Sequence, residues 1–216
     1  MAHRLLPFRQ YDENDVINLF ALRCDGLSSS LQVMKPGTDG INADGVLVEV
    51  ESANLDKGID VNEDARFQHS YNSPVGRNPY PTNHMKVAVP STSGNAVIGV
   101  TMRQTLTNDE NGESLLFNPV KKDELNAVLS GQTVPILSKG IISVHQNGFE
   151  LAGNVYSVGD ELTASNNGKF APKNGSSVKC GQIIGTGSRG GNKDNNYGGI
   201  NVDSLSGSYF LVKLDC

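Results

Sequence analysis

The chain has 216 residues and a formal net charge of −5 at pH 7, with 18 Lys and Arg residues in total. No run of Lys or Arg exceeds two residues, so the concentrated basic face that neutralises phosphates is not expected, and nucleic acid is excluded as a predicted partner. Charged residues make up only 19% of the chain and glycine accounts for 24 residues, which indicates a surface rich in turns, in one large β domain or two small ones.

Residues 1–22 are predicted to form an N-terminal arm and a first strand. Pro7 keeps the arm extended, and an apolar stretch at 16–22 follows it. The arm carries four large apolar side chains that it cannot bury on itself, so they pack either on the protein's own core or on another chain. These residues are Leu5, Leu6, Phe8 and Tyr11. An extended arm could satisfy its backbone hydrogen bonds by adding to the sheet edge of a neighbour.

The N-terminal segment also lacks the long apolar core and small-residue cleavage site of a secretory signal. Apolar stretches elsewhere in the chain are far shorter than a membrane span. We therefore expect a protein that is made and used without secretory export and that has no membrane partner.

Residues 23–117 are predicted to form an N-terminal β region. Period-two alternation predicts strands at 45–51 and 95–107, and a third strand is expected at 86–89. In the strand at 45–51, the residues expected to share a face are Val46, Val48 and Val50. In the strand at 95–107, they are Ile98, Val100, Met102 and Leu106. Residues 56–84 have little periodicity and contain three prolines, so they are predicted to form a long irregular lobe. A loop of that length is uncommon in a compact domain unless it binds something or is disordered.

One short helix is predicted over 118–131, at the start of a C-terminal β domain that covers 118–216. Asn118 can cap the helix, Pro119 suits its first position, and Gly131 suits a left-handed stop. Three apolar residues with helical spacing, Leu125, Val128 and Leu129, would form its buried stripe. The helix is expected to cover the core at one edge of a sheet.

The rest of the C-terminal domain is predicted to be a run of short strands. They are expected at 133–137, 140–145, 161–164, 182–184 and 208–216, the last with Phe210, Val212 and Leu214 on one face. Asn147-Gly148 and Asn167-Gly168 are strong two-residue hairpin signals. The predicted fold class is therefore mainly β, an antiparallel β-sandwich or small β-barrel with one short helix, a long irregular lobe and an extended N-terminal arm.

Residues 183–191, IIGTGSRGG, match the spacing of a dinucleotide-binding loop at Gly185, Gly187 and Gly190. That function requires a helix starting inside the loop, but residues 191–201 are rich in glycine and asparagine and lack helical spacing. We therefore predict a surface loop over 185–199 between the last two strands and no cofactor.

Histidine and cysteine residues form no catalytic or metal-ligating motif. The sequence has neither a Gly-x-Ser-x-Gly nor a His-Glu-x-x-His pattern. The cysteines are odd in number and far apart, so free thiols are expected. The residues concerned are His3, His69, His84 and His145, and Cys24, Cys180 and Cys216.

Acidic and aromatic residues leave two other functions open. Acidic clusters at 12–15 and 56–64 lack the calcium-loop pattern and are interpreted as surface acids, with a divalent-ion site as the alternative. The two carboxylates of a glycosidase need not be close in sequence, so a polysaccharide-degrading enzyme is one alternative. A glycan- or receptor-binding module is another, in which aromatic residues of the lobe contact a ligand rather than their own domain. Those residues are Phe67, Tyr71 and Tyr80.

Several C-terminal segments carry a family resemblance. They are GQTVPILSKGIISV (131–144), NVYSVGDELTA (154–164), NNGKFAP (166–172), CGQIIGTG (180–187) and FLVKL (210–214). Together they resemble the decoration, or cement, proteins that bind the outside of tailed-bacteriophage capsids. The opening HRLLPFRQYDENDVINLFA (3–21) is similar to phage virion proteins, whereas the lobe has no such match.

The resemblance implies a structural virion protein rather than an enzyme. Such a protein would be made in the host cytoplasm, would lie on the capsid surface as a homotrimer, and would fasten neighbouring major capsid proteins without a cofactor or metal. Many weak contacts repeated over a closed lattice would give high avidity. The arm residues Leu5, Leu6, Phe8 and Tyr11 are the candidate capsid or partner contacts.

Overall fold

The computed structural model describes residues 4–22, 44–52, 86–105, 111, 113, 115, 117–128, 132–151, 153–189 and 207–216. Over this part of the chain the protein is mainly β and sandwich-like, with two six-stranded sheets, one two-stranded sheet and one short α-helix. Neither six-stranded sheet closes into a barrel among the described residues. The predicted mainly β fold is therefore confirmed, in its sandwich form.

Every segment predicted as a strand contains at least one strand. In chain order the strands are β1 Leu5–Gln10, β2 Val16–Ile17, β3 Ala21–Leu22, β4 Leu47–Ser52, β5 Lys86–Ala88, β6 Gly99–Thr101, β7 Gln104–Thr105, β8 Ala127–Val128, β9 Ile136–Leu137, β10 Lys139–His145, β11 Glu161–Ala164, β12 Phe170–Pro172, β13 Gly181–Arg189 and β14 Gly207–Asp215. The helix α1 is Pro119–Glu124, and 3-10 turns span Glu13–Asp15 and Gln146–Gly148. Strands β1, β8 and β12 lie outside the predicted strand segments.

The first sheet has the strand order β1-β10-β14-β13-β11-β12, with antiparallel neighbours throughout. Its longest ladders join β14 to β10 and to β13. In β14, Phe210, Val212 and Leu214 are buried, whereas Lys213 and Asp215 are exposed. The alternation predicted for this strand is confirmed, because every second residue faces the core.

The second sheet has the strand order β2-β9-β6-β4-β5-β3, in which only the β3–β5 pair is parallel. Strand β9, from the C-terminal part of the chain, lies between β2 and β6. Strand pairing therefore crosses the predicted domain boundaries at 22/23 and 117/118. A separate parallel pair joins β7 to β8.

Apolar cores cover both faces of the second sheet at β4. Leu47 belongs to the main core, which lies between the two six-stranded sheets. Val46 and Val48 point to the opposite face and belong to a second core. The middle of β4 is therefore buried on both sides. The main core also contains Leu5, Val97, Val100, Met102, Leu137, Ile142, Val144, Phe149, Leu162, Ala164, Phe170, Cys180, Ile183, Phe210, Val212 and Leu214.

The strand predicted at 95–107 is interrupted, because Gly99 breaks its alternation. Gly99 has a φ of +151°, and a Cβ at this position would meet the carbonyl oxygen of Leu137. After this break, Val100 lies in the main core, whereas Ile98 packs against the second core. The predicted common face for Ile98 and Val100 is therefore wrong.

Helix α1 begins as predicted but ends earlier. The Asn118 side chain accepts a backbone hydrogen bond of 3.3 Å in the first turn, and Pro119 occupies the first helical position. Asn126 then takes a φ of +49°, which ends the helix, and β8 follows and pairs with β7. Leu125 is buried as expected, but Val128 belongs to a strand, so the longer helical stripe is wrong.

Only one of the two predicted hairpin turns joins paired strands. Asn167-Gly168 lies between β11 and β12, which pair antiparallel, and Gly168 has a φ of +63°. Asn147-Gly148 lies in the 3-10 turn after β10, whose partners are β1 and β14. The hairpin predicted at Asn147-Gly148 is wrong, because Gly148 lacks the positive φ that a two-residue hairpin turn requires.

Strand β13 includes glycines that the sequence places in a surface loop. Gly185 and Gly187 lie opposite Leu211 and Tyr209 in the ladder with β14. The Tyr209 ring occupies the space that a Cβ at Gly187 would need. These two glycines therefore serve strand packing, which corrects the predicted start of the loop, and residues 190–206 lie outside the described part.

Candidate interaction surface

The N-terminal arm folds back onto its own chain as β1. It pairs antiparallel with β10, with Leu5 opposite Val144 and Gln10 opposite Ile141. Leu5 and Leu6 are buried, at 4% and 6% exposure. Within one chain both leucines therefore pack on the protein's own core, the first of the two expected alternatives, and their contact with a partner stays a prediction.

Phe8 and Tyr11 are the arm residues that stay accessible. Their exposed fractions are 58% and 41%. The pairing slips near Phe8, because β1 advances four residues from Leu5 to Arg9 while β10 advances two, from Val144 to Ile142. The slip suits an edge strand that contains a proline, which has no N–H to donate. We call Phe8 and Tyr11 the arm surface, and their contact with a partner stays a prediction.

Asp44, which precedes β4 of the second sheet, anchors the start of β1. Its Oδ1 accepts hydrogen bonds from the backbone N–H groups of Arg4, at 3.0 Å, and Leu5, at 3.3 Å. Its Oδ2 lies 3.9 Å from Nη2 of Arg9. The Arg4 carbonyl in turn accepts from the N–H of His145 at 2.7 Å, so both ends of this peptide segment are fixed.

Arg4 is completely buried beside this anchor. Its Nη1 donates to the carbonyl oxygen of Gly168 at 3.0 Å, whereas Nε and Nη2 have no hydrogen-bond partner. Burial lowers the pKa of Arg4 to about 10, against the opposing effect of the Asp44 and Glu150 charges. The sequence gives no signal for this burial, because arginine side chains are normally solvated unless they are paired.

Glycines make room for the Arg4 side chain. A Cβ at Gly45 would lie 3.3 Å from Cβ of Arg4, and a Cβ at Gly148 would lie 3.6 Å from the same atom. Gly45 has a φ of +74°, so its conformation also favours glycine. The aliphatic part of the Arg4 side chain therefore packs beside Gly45 and Gly148.

Exposed apolar residues outside the arm include two groups of sequence neighbours. Leu151, Val155 and Val158 are on the loop before β11, and Val155 is 86% exposed. Phe117 and Val120 are at the start of α1. These residues add accessible apolar area of the kind found at protein interfaces.

His145 has a structural role. It is 4% exposed, and its Nδ1 accepts the backbone N–H of Asn147 at 3.3 Å, which caps the 3-10 turn. The buried imidazole therefore stabilises the turn that follows β10.

Acidic residues of the described segments hold local structure. Asp12 caps its 3-10 turn, and its backbone N–H donates to Oδ2 of Asp15 at 3.3 Å. Glu161 lies 2.9 Å from Nζ of Lys179 and 3.1 Å from Nζ of Lys173, and these contacts lower its pKa. Among the described residues, no group of three His, Cys, Asp or Glu is placed to hold a metal ion.

Cys180 and Cys216 are free thiols packed against the main core, which confirms that prediction for these two residues. Sγ of Cys216 donates to the carbonyl oxygen of Cys180 at 3.3 Å. Burial raises both pKa values, that of Cys216 to about 12. Neither thiol is therefore an activated nucleophile near neutral pH.

Several sequence candidates lie outside the described residues. They are the lobe 56–84 with its acidic cluster, and Leu106, Leu129, Gly131, Cys24, His3, His69, His84, Phe67, Tyr71 and Tyr80. Within the described segments, no helix has the length and apolar character needed to cross a bilayer.

No protein-family model, curated protein or solved structure matches this chain. The resemblance to decoration proteins therefore stays a prediction.

Proposed function

We propose that the protein is a structural component of a phage virion that binds the outer surface of the capsid and cements neighbouring major capsid proteins. One observation carries most weight. The C-terminal segments that resemble decoration proteins supply five strands, β10 to β14, of the six-stranded first sheet. The resembling segments therefore cover five adjacent strands of one sheet, together with β9 of the second sheet.

The character of the accessible residues supports a binding role. The arm surface, Phe8 and Tyr11, lies at the edge of the same sheet, next to β10. Aromatic side chains with one apolar face are favoured anchors of protein interfaces. Meanwhile the described His, Cys and several acidic side chains are engaged in caps, ion pairs and the core.

Assembly as a homotrimer would turn weak contacts into firm attachment. Each copy offers only a small accessible apolar area, so one copy alone is expected to bind weakly. Three linked copies raise the effective concentration at neighbouring capsid sites, and the combined affinity rises without any new contact.

The direct test is to mix the purified protein with capsids that lack it. The proposal predicts a trimer by analytical ultracentrifugation and saturable co-sedimentation with capsids. A monomer that stays in the supernatant at all capsid concentrations would overturn it. Binding to an array of glycans, together with no capsid binding, would instead favour the alternative of a glycan- or receptor-binding module. Cleavage of a polysaccharide would favour the alternative of a degrading enzyme.

A further inference from the structure

We propose that β1 is an exchangeable strand, which leaves β10 of its own chain and pairs with β10 of a second copy of this chain. The inference builds on the proposed assembly of several copies, but its observations and its test involve no capsid. Reciprocal exchange would join subunits through contacts that each chain already contains.

The position of β1 permits such a movement. Among the described strands, β1 lies at the edge of the first sheet and pairs with β10 alone. The next strand, β2, belongs to the second sheet, and residues 11–14 between them are exposed. A change of backbone angles in this connection moves β1 without disturbing the pairing of any other strand.

The pairing of β1 is also weaker than that of its neighbours. Three residue pairs join β1 to β10, with a slip between Leu5 and Arg9, whereas seven consecutive pairs join β10 to β14. Fewer ladder hydrogen bonds have to break when β1 leaves. The ladder between β10 and β14 would stay in place and present an unchanged acceptor edge.

Arg4 lowers the cost of opening further. Its guanidinium is fully buried, yet Nε and Nη2 donate to no atom of the described residues. Burying a charge without full hydrogen bonding is unfavourable, and this penalty is released when β1 leaves and Arg4 reaches water. Burial of the Arg4 guanidinium therefore destabilises the pairing of β1 with β10 next to the contacts that Asp44 makes with the start of β1.

The vacated site fits a strand of identical sequence. It offers the Asp44 carboxylate to two backbone N–H groups and a nearby arginine, and the Gly168 carbonyl to a guanidinium. It also has apolar space for two adjacent leucines. A second copy supplies Arg4, Leu5 and Leu6 in this order, and exposure of its own leucines drives their reburial.

Strand exchange can be trapped with a disulfide across the β1–β10 register. Gln10 and Ile141 are direct partners, and Gln10 is exposed, so cysteines at these positions are within bridging reach and accessible to an oxidant. Chains with Gln10→Cys and differently tagged chains with Ile141→Cys are mixed and treated with a mild thiol oxidant. Both carry Cys24→Ser and Cys216→Ser to remove competing thiols. The proposal predicts a covalent heterodimer.

Two controls give the result its meaning. A single chain with both Gln10→Cys and Ile141→Cys must form its internal disulfide, which shows that the geometry permits the bond. Chains with Gln10→Cys mixed with Val155→Cys report random collisions, because Val155 is exposed and lies outside the β1–β10 ladder. The proposal is overturned if the double-cysteine chain forms its internal disulfide but the mixed chains form no heterodimer above this background. The same result is expected if β10 accepts only a strand of a capsid protein.

A third comparison tests the role of Arg4. Arg4→Met in both mixed chains removes the buried charge, so β1 should open less often and the heterodimer should form several-fold more slowly. An unchanged rate would contradict the part assigned to Arg4. Absence of exchange would leave the proposed function standing, because capsid binding is measured separately by co-sedimentation.

Discussion

Arg4 combines complete burial with incomplete hydrogen bonding, and this makes its replacement informative. Oδ1 of Asp44 accepts from two backbone N–H groups and Oδ2 lies 3.9 Å from Nη2 of Arg9, and among the described ion pairs none joins Asp44 to the Arg4 guanidinium. Removing the Arg4 charge therefore leaves no newly unpaired carboxylate. We expect Arg4→Met to raise the free energy of unfolding by about 1–2 kcal/mol, as measured by urea denaturation.

Arg9→Met is the matched control for Arg4→Met. Arg9 is partly exposed and lies 3.9 Å from Asp44, so its loss should cost about 1 kcal/mol or less. A loss of about 3 kcal/mol or more on Arg4→Met would contradict the interpretation, because it would identify the guanidinium as part of a satisfied buried pair.

Tyr156 is expected to make stability depend on alkaline pH. Its hydroxyl lies 2.8 Å from the Glu150 carbonyl oxygen, to which it donates, and burial raises its pKa from 10.0 to about 12. A folded-state pKa above the unfolded value gives stability that is complete below pH 10 and is lost as pH rises toward 12. Wild type should therefore lose stability more steeply than Tyr156→Phe across this window.

Chemical denaturation of both chains at a series of pH values measures this difference. At neutral pH Tyr156→Phe should be less stable by about 1 kcal/mol, because it lacks one hydrogen bond. The packing of the ring against Phe149, at a centroid distance of 5.0 Å, is retained in phenylalanine. Parallel pH profiles for the two proteins would refute the assignment.

Gly99 allows the start of β6 to approach the backbone of Leu137 closely, so its replacement tests the fold of the second sheet. A Cβ in Gly99→Ala would meet the Leu137 carbonyl oxygen, and the φ of +151° is unfavourable for alanine. We expect a loss of about 3 kcal/mol or more by thermal and chemical unfolding. In Gly185→Ala the Cβ would meet Leu211 at an ordinary 3.4 Å, so this control should change stability by about 1 kcal/mol or less. Equal effects would contradict the structure of β6.

The arm surface can be tested without removing β1. Phe8→Ser with Tyr11→Ser should weaken capsid binding by about tenfold or more, because aromatic anchors dominate interface energies. Stability should change by only about 0.5 kcal/mol, since both side chains are exposed. Val178→Ser is the matched exposed control, at 46% exposure, and should bind normally. Equal binding by all three proteins would exclude Phe8 and Tyr11 as contacts.

Sequence reasoning succeeds where one local rule decides the structure. Alternation in β14 is predictable because Phe210, Val212 and Leu214 all face one core. It fails at β6, since Gly99 breaks the alternation through a close approach to Leu137 that only the folded sheet shows. The helix is too long in the prediction for a similar reason, because pairing of β8 with β7 overrides helical spacing.

The candidate surface was predictable in part. Apolar residues on an extended N-terminal segment predict that their side chains are buried. Their spacing does not show whether the segment pairs with β10 of the same chain or with another chain. The structure divides them into buried Leu5 and Leu6 and accessible Phe8 and Tyr11. Burial of Arg4 depends on Asp44 and Gly168, which are 40 and 164 residues away in sequence.

The described residues form a sandwich in which the first and last described strands lie in the same sheet. Strands β1 and β14, from the two ends of the sequence, flank β10 in one sheet. A lattice-binding protein benefits from this arrangement, because the edge strand offers contacts while long central ladders preserve the fold. The proposed attachment to a capsid therefore requires no rearrangement of the main core.

An electron-microscopy map of the virion tests the central claim most directly. The account predicts density for this two-sheet sandwich outside the capsid shell, in groups of three copies over junctions between major capsid proteins, with β1 near a subunit contact. The account would be contradicted by a map in which all capsid density is assigned to other proteins, or in which this chain lies in a tail fibre.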